Sequence, residues 1–324
     1  MSTAVLLSIA AGLMSALPLI AVAGFPGGVL LMLLAPLPLF LVGLSQGVAS
    51  IAIAGTTLIV VVGLAVGLFA AIAMLVTLAA PAAILVRQAL LNRQLQSAAG
   101  GAEPQGAAPG PIEWYPPGLL VTWLTGVGVV WLAVSLFVIG SGVGGFEAHL
   151  RERMVETLTM MVPQAAPEAI AQTAGTVAPI ALGAGLVSWL LLLALNAVLA
   201  QGALARFGRN LRPAPDIGDI ELPVWLAPAL AATLVAAFLA DGDLGFVARN
   251  LAMVLLLPFL FLGLSVVHVL IRRLQAKVLL FVAFYAVMLL FTWPAVIVVA
   301  LGLLEQWLNL RRRFSPPDDS QEES

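Results

Sequence analysis

Residues Lys277 to Arg313 read KVLLFVAFYAVMLLFTWPAVIVVALGLLEQWLNLRRR, and this stretch is basic at both ends and almost wholly apolar between them. As one helix, residues 278–304 would rise about 40 Å, which exceeds the roughly 30 Å core of a bilayer. A single crossing would also leave basic residues on both sides of the membrane, which the positive-inside rule disfavours. Because Pro294 lies mid-stretch and proline breaks helices, the sequence predicts a short hairpin here.

The composition is typical of an integral, polytopic membrane protein. The chain is 62% hydrophobic and 9% charged, and its mean hydropathy is +1.10. The net charge of −2 gives no reason to expect nucleic acid as a partner. The absence of cysteine excludes disulfides, thiolate metal sites and cysteine nucleophiles. Two histidines are too few for most metal sites, so we expect neither a metal nor another cofactor.

The first part of the chain, residues 1–86, contains no charged side chain. A signal peptide would need a basic region at its start, so a retained first helix is favoured. Residues 48–86 would be about 58 Å long as one helix, and we therefore predict that they fold back near Gly63–Gly67. Further apolar spans are predicted at 5–23, 29–44, 119–139, 177–199, 224–240 and 251–271.

Together with the two arms of the C-terminal hairpin, these segments give an all-α bundle of roughly ten spans. We expect one integral membrane domain over residues 1–313, in the inner (cytoplasmic) membrane of a bacterium. We predict that both termini are cytoplasmic, because most basic residues then face the cytoplasm. Apart from the lipid bilayer, a membrane-protein partner is the interaction that this architecture allows.

The segments between spans differ in character. The helix before the first long loop should run on as an exposed tail through Arg93 and Gln96, and residues 97–117, rich in Ala, Gly and Pro, form a cytoplasmic loop. Phe146–Met161 has apolar residues at helical spacing and charges on its other face, which predicts an amphipathic surface helix. It continues into an extracytoplasmic linker ending near 172. The acidic tail 314–324 should be disordered.

Two kinds of intramembrane residue have alternative interpretations. Gly12 and Ala16 are four residues apart, which permits close helix packing, either inside the bundle or against a partner. Asn196 and His268 are polar residues of predicted spans, which often mark a substrate path. They are candidates for interfacial or packing groups, with a neutral polar cavity as the alternative.

No pattern in the sequence supports catalysis. Asp241 and Asp243 lie two residues apart in one turn, whereas intramembrane aspartyl enzymes need facing aspartates at membrane depth. Ser141 and His268 map to opposite ends of their spans, too far apart for a serine–histidine dyad. A phosphate-binding loop is also missing, so the chain cannot energise transport with ATP itself. We therefore expect a protein that is not an enzyme.

The C-terminal segment holds a set of residues that we call the C-terminal motif: Gly302, Glu305, Trp307, Asn309 and Arg311. On a continuous helix Glu305 shares a face with Asn309 and Arg312, so the sequence predicts that Glu305 pairs with them. Trp307 would anchor the helix at the membrane boundary. The motif is then either an interface anchor or a docking site.

The C-terminal motif, of the form G-x-x-[acid]-x-W-x-N-x-R, resembles the YybS-like, DUF2232 family of bacterial membrane proteins. The charge-poor start and the surface helix between middle spans add to this resemblance. That family is remotely similar to the substrate-capture subunits of energy-coupling-factor transporters and to the rod-shape membrane protein MreD. The resemblance implies that small first-helix residues dock on a coupling subunit: Ala11, Gly12, Ser15 and Ala16.

Three functions follow as hypotheses. The leading one is a transporter-like or substrate-binding protein without its own ATPase, which predicts a polar cavity between helices and a small neutral or amphiphilic ligand. The alternative is a non-transporting, MreD-like scaffold in envelope or division assembly, with interaction surfaces on residues 146–161 and the cytoplasmic loops. An intramembrane enzyme is disfavoured. The sequence identifies no substrate.

Overall fold

The computed structural model describes residues 2–22, 31–94, 112–140, 142–291 and 293–313. Helices make up nearly all of this part of the chain, which confirms the predicted all-α, polytopic architecture. Several predictions concern residues outside the described ranges, namely the serine at position 141, most of the 97–117 loop and the tail 314–324.

The N-terminal half begins with four helices and a short hairpin. The helices are α1 (Thr3–Val22), α2 (Leu37–Gln46), α3 (Val48–Ala65) and α4 (Leu68–Ala89). A two-stranded antiparallel sheet of β1 (Asn92–Gln94) and β2 (Ile112–Trp114) follows, and then α5 (Pro117–Ile139).

The remaining helices include short and long elements. They are α6 (Gly145–Met161), α7 (Pro167–Val177), α8 (Ala181–Arg206), α9 (Leu226–Leu239), α10 (Gly242–Arg272), α11 (Lys277–Leu290), α12 (Trp293–Leu308) and α13 (Leu310–Arg313). Short 3-10 turns occupy Ala178–Ile180 and Ile217–Asp219.

Each predicted apolar segment contains a helix, but the helices differ in length. Six of those described are long and apolar enough to cross a membrane, or seven if α11 and α12 form one bent span. The helix in the predicted span 29–44 has only 10 residues, and the helix in the predicted span 224–240 has 14. The short length of α2 has a local cause. Pro36 and Pro38 lack the N–H groups that would extend the helix toward its N-terminus.

The stretch from Lys277 to Arg313 is divided into two helices near Pro294, as the sequence predicts. α11 ends at Leu290, α12 begins at Trp293, and the two axes are bent by 115°. This bend excludes one straight helix over residues 278–304. The return of the chain to the same side of the membrane stays a prediction.

The predicted reversal within residues 48–86 is confirmed. α3 ends at Ala65, and Gly67 has φ +122°, a backbone conformation that favours glycine. The helix that follows is interrupted by a π-helical turn at Leu75–Ala79. Such turns widen the helix by one residue and occur often at functional sites.

The segments between spans require two corrections. α4 stops at Ala89, so the predicted helical tail through Arg93 and Gln96 is wrong over 92–94, where β1 pairs with β2. Arg93 forms an exposed ion pair of 2.5 Å with Glu113, and the hydrogen bond that its guanidinium donates to that carboxylate raises the pKa of the guanidinium. The predicted 97–117 loop therefore ends earlier, at β2.

The predicted amphipathic helix is present as α6, and none of its residues is buried. Four of its apolar residues, Phe146, Leu150, Met154 and Leu158, are half-buried, whereas Met161 is exposed. The linker predicted to reach residue 172 is also wrong in part, because α7 begins at Pro167. Proline suits this position, since the first helical residue needs no N–H partner.

The contacts group the chain into two compact units, residues 1–124 with 190–215, and residues 125–189 with 216–324. In the first unit, α1 packs on α3, and buried side chains include Leu39, Phe40 and Leu58. In the second, α10 is central and buries Phe246 and Phe259. The prediction of one domain over 1–313 stays a prediction.

Candidate functional site

The C-terminal motif begins where α12 crosses α10 at two glycines. A Cβ atom at Gly302 would overlap the Phe259 carbonyl oxygen and would lie 2.8 Å from Gly263 N. A Cβ atom at Gly263 would overlap the backbone carbonyl of Val298. Only glycine at both positions allows the two backbones to approach this closely.

Three residues after Gly302, α12 carries a buried carboxylate. Glu305 is 3% exposed, and its Oε1 accepts a hydrogen bond of 2.7 Å from Arg311 Nε. Its Oε2 accepts a second bond of 3.2 Å from the backbone N–H of Arg311. Asn309 makes this possible because its φ of +47° turns the chain between α12 and α13.

The guanidinium of Arg311 reaches three further groups. Nη1 donates to the Gly218 carbonyl and, at 2.9 Å, to the hydroxyl of Ser265, while Nη2 donates to the Ile220 carbonyl at 2.8 Å. The side chain of Arg311 is 15% exposed. These bonds join α13, the turn at 217–220 and α10, and we call them the Arg311 clamp.

The observed pairing differs from the predicted one. The sequence predicts that Glu305 pairs with Asn309 and Arg312, but the structure pairs it with Arg311. The helix is not continuous at Asn309, so the expected periodicity does not hold there. Asn309 is exposed, and its backbone N–H donates to the Glu305 carbonyl at 3.1 Å. Trp307 is 67% exposed, as an interface anchor requires.

His268 lies one turn beyond Ser265 on the same helix. Its Nδ1 lies 2.8 Å from the Leu264 carbonyl oxygen, and its Nε2 lies 3.3 Å from the Tyr285 hydroxyl on α11. The ring of Phe281 packs against the imidazole at 4.7 Å. The structure therefore gives His268 a packing role between α10 and α11, which is one of the two alternatives from the sequence.

An ion pair closes the same end of α10. Both carboxylate oxygens of Asp216 accept hydrogen bonds from Arg272 Nη1, at 2.7 and 2.8 Å. The backbone N–H of Gly218 donates to the same carboxylate at 2.8 Å. That bond, together with Arg272, holds the pKa of Asp216 below its ordinary value.

Asn196 has a structural role that the prolines explain. It is fully buried, and its Nδ2 donates to the Leu33 carbonyl at 2.9 Å and to the Leu192 carbonyl at 2.8 Å. Leu33 lies in the turn before α2, where Pro36 and Pro38 interrupt helical hydrogen bonding. The neighbouring helix thus supplies a donor that the interrupted turn lacks. Asn196 Oδ1 has no partner within the described ranges.

Asn250 was missed by the sequence reasoning, although it is fully buried in α10. Its Oδ1 accepts from Gly183 N at 2.7 Å, and its Nδ2 donates to the Pro179 carbonyl at 3.0 Å. These backbone groups, four residues apart, would bond to each other in a regular helix. The amide of Asn250 bridges them instead. The signal available in the sequence was Pro179, near the start of the predicted span 177–199.

Arg212 was also missed, because it lies between the predicted spans 177–199 and 224–240. The side chain is buried, and it donates to the Ala89 carbonyl at 3.0 Å and to the Tyr115 carbonyl at 2.8 Å. Burial lowers the pKa of its guanidinium. Arg212 thus caps the end of α4 and fixes the start of the segment that leads into α5.

The small residues of α1 pack within the chain. Gly12, Ser15 and Ala16 are buried, and a Cβ atom at Gly12 would overlap the Ala54 carbonyl oxygen and lie 2.6 Å from Thr57 Cβ. α3 therefore covers this face, as the internal-packing alternative predicts. Ala11 is half-exposed. Docking of these residues on a partner stays a prediction, and it requires α3 to move.

An open cleft of about 670 Å³ lies between α6, α7 and the start of α10. Small residues, among them Gly144, Ala148 and Ala171, form part of its wall. Six charged side chains line it, and these are Glu147, Arg151, Glu152, Asp241, Asp243 and Arg249. The sequence reasoning missed this cleft because it brings together residues about a hundred positions apart.

Two contacts join α6 to α10 at the cleft. Arg249 Nη2 lies 2.5 Å from Glu147 Oε2, and Asp243 Oδ1 accepts a hydrogen bond of 2.7 Å from Phe146 N. Asp243 therefore lies in the first turn of α10, and its carboxylate binds the N-terminal end of α6 rather than serving the turn in which the sequence places it. Asp241 precedes α10, but its side chain makes no capping hydrogen bond.

The described residues include no group of three or more histidine, aspartate or glutamate side chains that would hold a metal ion. The carboxylates of the cleft are instead mixed with arginines. Such a surface can bind a charged ligand through ion pairs and hydrogen bonds, without any covalent step.

Comparison with known proteins gives a family and no relative of known function. A family model described as "Predicted membrane protein (DUF2232)" matches residues 8–304. No curated protein and no solved structure matches the chain. The match covers nearly the whole chain, and the described helices agree with its description. The chain therefore belongs to the DUF2232 family of predicted membrane proteins.

Proposed function

We propose that this protein binds a small polar ligand in the cleft between α6, α7 and α10 and acts as a transporter-like, substrate-binding membrane protein. The observation that carries the proposal is the cleft itself, on whose walls Arg151, Glu152 and Asp241 have no ion-pair or hydrogen-bond partner among the described residues. Its volume of about 670 Å³ lies within the range of small-molecule sites, roughly 300–1,000 Å³.

The buried polar residues support this choice of site. Asn196, Asn250 and the Arg311 clamp direct their donors to backbone groups or to one another. Their hydrogen bonds hold helices together, so they are poor candidates for a substrate path through the described spans. The charges of the cleft are accessible and only partly paired, which suits a binding site.

The proposal includes an orientation and a partner. With both termini on the cytoplasmic side of a bacterial inner membrane, α6 and the cleft face the opposite side. The ligand then enters from outside the cell. A separate coupling subunit supplies the energy, because the sequence has no phosphate-binding loop. The protein itself performs no chemical conversion.

Labelling of a single cysteine tests the site directly, since the chain contains no cysteine. Ala148→Cys places a thiol in the cleft wall, and Thr157→Cys places one on an exposed part of the same helix outside it. The detergent-solubilised full chain is reacted with a maleimide in the presence of fractionated polar metabolites. We expect at least one fraction to slow labelling at position 148 and not at 157. Equal labelling rates with every fraction would contradict the proposal.

A second candidate, the non-transporting scaffold, is favoured by the C-terminal end of α6. Met160 and Met161 are 70% and 73% exposed there, on a helix without buried residues. Methionine-rich surfaces adapt well to protein partners. Affinity purification in mild detergent separates the two functions. Recovery of an ATPase with a membrane subunit supports the binding function, and recovery of envelope-assembly proteins supports the scaffold.

A further inference from the structure

We infer that the ligand of the cleft is a zwitterion, in which an ammonium group and an anionic group lie a few bonds apart. The anionic group is a carboxylate or a phosphodiester. This inference rests on the proposed function and names the class of ligand. It follows from which charges of the cleft the protein already pairs and which it leaves for a ligand.

Two of the carboxylates are used by the fold. Glu147 pairs with Arg249 at 2.5 Å, and Asp243 accepts the Phe146 N–H at 2.7 Å. These contacts fix α6 against α10 and neutralise the single guanidinium on the α10 side. The charge of Arg249 is therefore already paired, although its buried Nε has no hydrogen-bond partner among the described residues.

Three charged groups remain: Arg151, Glu152 and Asp241. The described residues provide no ion pair or hydrogen-bond partner for their side chains. Arg151 Nη2 lies 3.3 Å from the position a Cβ atom would take at Gly175, so the glycine leaves room for the guanidinium beside α7. The wall thus offers one unpaired cation and two unpaired anions.

This balance of charge selects against ligands of one sign. A simple anion would satisfy Arg151 but would meet the repulsion of two carboxylates. A simple cation would satisfy the carboxylates but would meet the repulsion of the Arg151 guanidinium in the same cleft. A zwitterion pairs with both, and each pair is a charge-assisted hydrogen bond.

The required chemistry has two possible sources. A free amino acid carries it as ammonium and carboxylate, and an ethanolamine phospholipid carries it as ammonium and phosphodiester in its headgroup. The distinction is experimental, because one source dissolves in water and the other is supplied only by the bilayer.

The test uses the labelling rate of Ala148→Cys as the readout. β-Alanine and glycerophosphoethanolamine are the zwitterionic probes, and ethylammonium and propionate carry only one of the two charges. We expect a zwitterionic probe to protect the thiol at concentrations about tenfold lower than either single-charge probe. Arg151→Gln and Asp241→Asn should each abolish that advantage. Arg153→Gln should keep it, because Arg153 pairs with Glu156 outside the cleft.

Reconstitution separates the sources. If neither soluble zwitterion protects, the protein is placed in nanodiscs of phosphatidylglycerol with or without phosphatidylethanolamine. Protection only with the ethanolamine lipid identifies the headgroup as the ligand and supports the inference. Protection by ethylammonium alone, as strong as by the zwitterions, overturns the zwitterion but leaves the cleft as a site. If all these probes fail while a metabolite fraction protects, the zwitterion is likewise overturned and the cleft remains a site. Failure of every probe and every fraction overturns the proposed function as well.

Discussion

The Arg311 clamp and the cleft both bring charged side chains together in the second unit, and they differ in how the fold uses the charges. In the clamp, Glu305 is 3% exposed and is bonded by both the side chain and the backbone of Arg311. In the cleft, Arg151, Glu152 and Asp241 are exposed and have no partner among the described residues. Charges that are buried and paired define structure, whereas charges that are open and unpaired are available to a ligand.

The largest effect should come from breaking the clamp. Arg311→Gln leaves the Glu305 carboxylate buried without its counter-ion, and we expect a loss of stability of about 3 kcal/mol. The midpoint of thermal unfolding in detergent measures it. Arg153→Gln removes an arginine from the exposed pair with Glu156 and should change the midpoint little.

The double variant Glu305→Gln with Arg311→Gln sharpens this result. It removes both charges and should recover part of the stability that Arg311→Gln loses, because no isolated charge stays buried. A double variant as unstable as the sum of both single variants would show that the pair is not coupled and would contradict the clamp.

A smaller loss of stability is expected where α12 crosses α10 at Gly302. Gly302→Ala places a methyl group against the backbone of α10, and we expect a cost of about 1–3 kcal/mol from overpacking. Gly126→Ala is the matched control, because no atom lies within 4 Å of its Cβ position. Alanine there should be neutral or stabilising by up to about 1 kcal/mol. Equal unfolding midpoints for both variants would argue against the close crossing.

Removal of a charged side chain from the cleft should leave the stability of the fold unchanged. Arg151→Gln and Asp241→Asn remove exposed, unpaired charges, so the unfolding free energy should stay within about 0.5 kcal/mol of the parent protein. The thermal midpoint of each variant without ligand provides the check. A large drop in either would mean that the cleft charges hold the fold together, and the contrast with the clamp would fail.

The smallest effect concerns pH at the ion pair beside the clamp. The pKa of Asp216 is held below its ordinary value by the Gly218 N–H and by Arg272, so its contribution to stability is complete above the unfolded value of about 4. It is lost as the pH falls through the lower, folded value. Unfolding midpoints of the parent and of Asp216→Asn should therefore converge in acid. A difference that is constant down to pH 3 would contradict this.

Local signals in the sequence were sufficient for much of the fold. Pro294 predicts the break between α11 and α12, and length alone predicts the reversal that Gly67 makes. The helical spacing of apolar residues, with charges on the other face, predicts α6. In each case the cause lies within the segment concerned, so its own sequence contains the needed information.

The candidate site was harder to predict because its contacts are distant in sequence. The partner of Glu305 depends on the left-handed turn at Asn309, which breaks the periodicity on which the prediction relied. Asn250 binds backbone groups 67 and 71 residues away. The cleft joins α6 to a turn that reads, in sequence, as an ordinary connection. Tertiary packing decides these pairings, and no local pattern encodes them.

The Arg311 clamp also has a consequence for synthesis at the ribosome. The Gly218 and Ile220 carbonyls precede their arginine donor by 93 and 91 residues, and the Ser265 hydroxyl precedes it by 46. At elongation rates of about 5–20 residues per second, the turn at 217–220 waits on the order of 5 to 20 s for that donor. During this interval α10 also lacks the α12 backbone that covers its glycine. The second unit of a nascent chain therefore stays open to proteases and insertion factors until translation has passed Arg311.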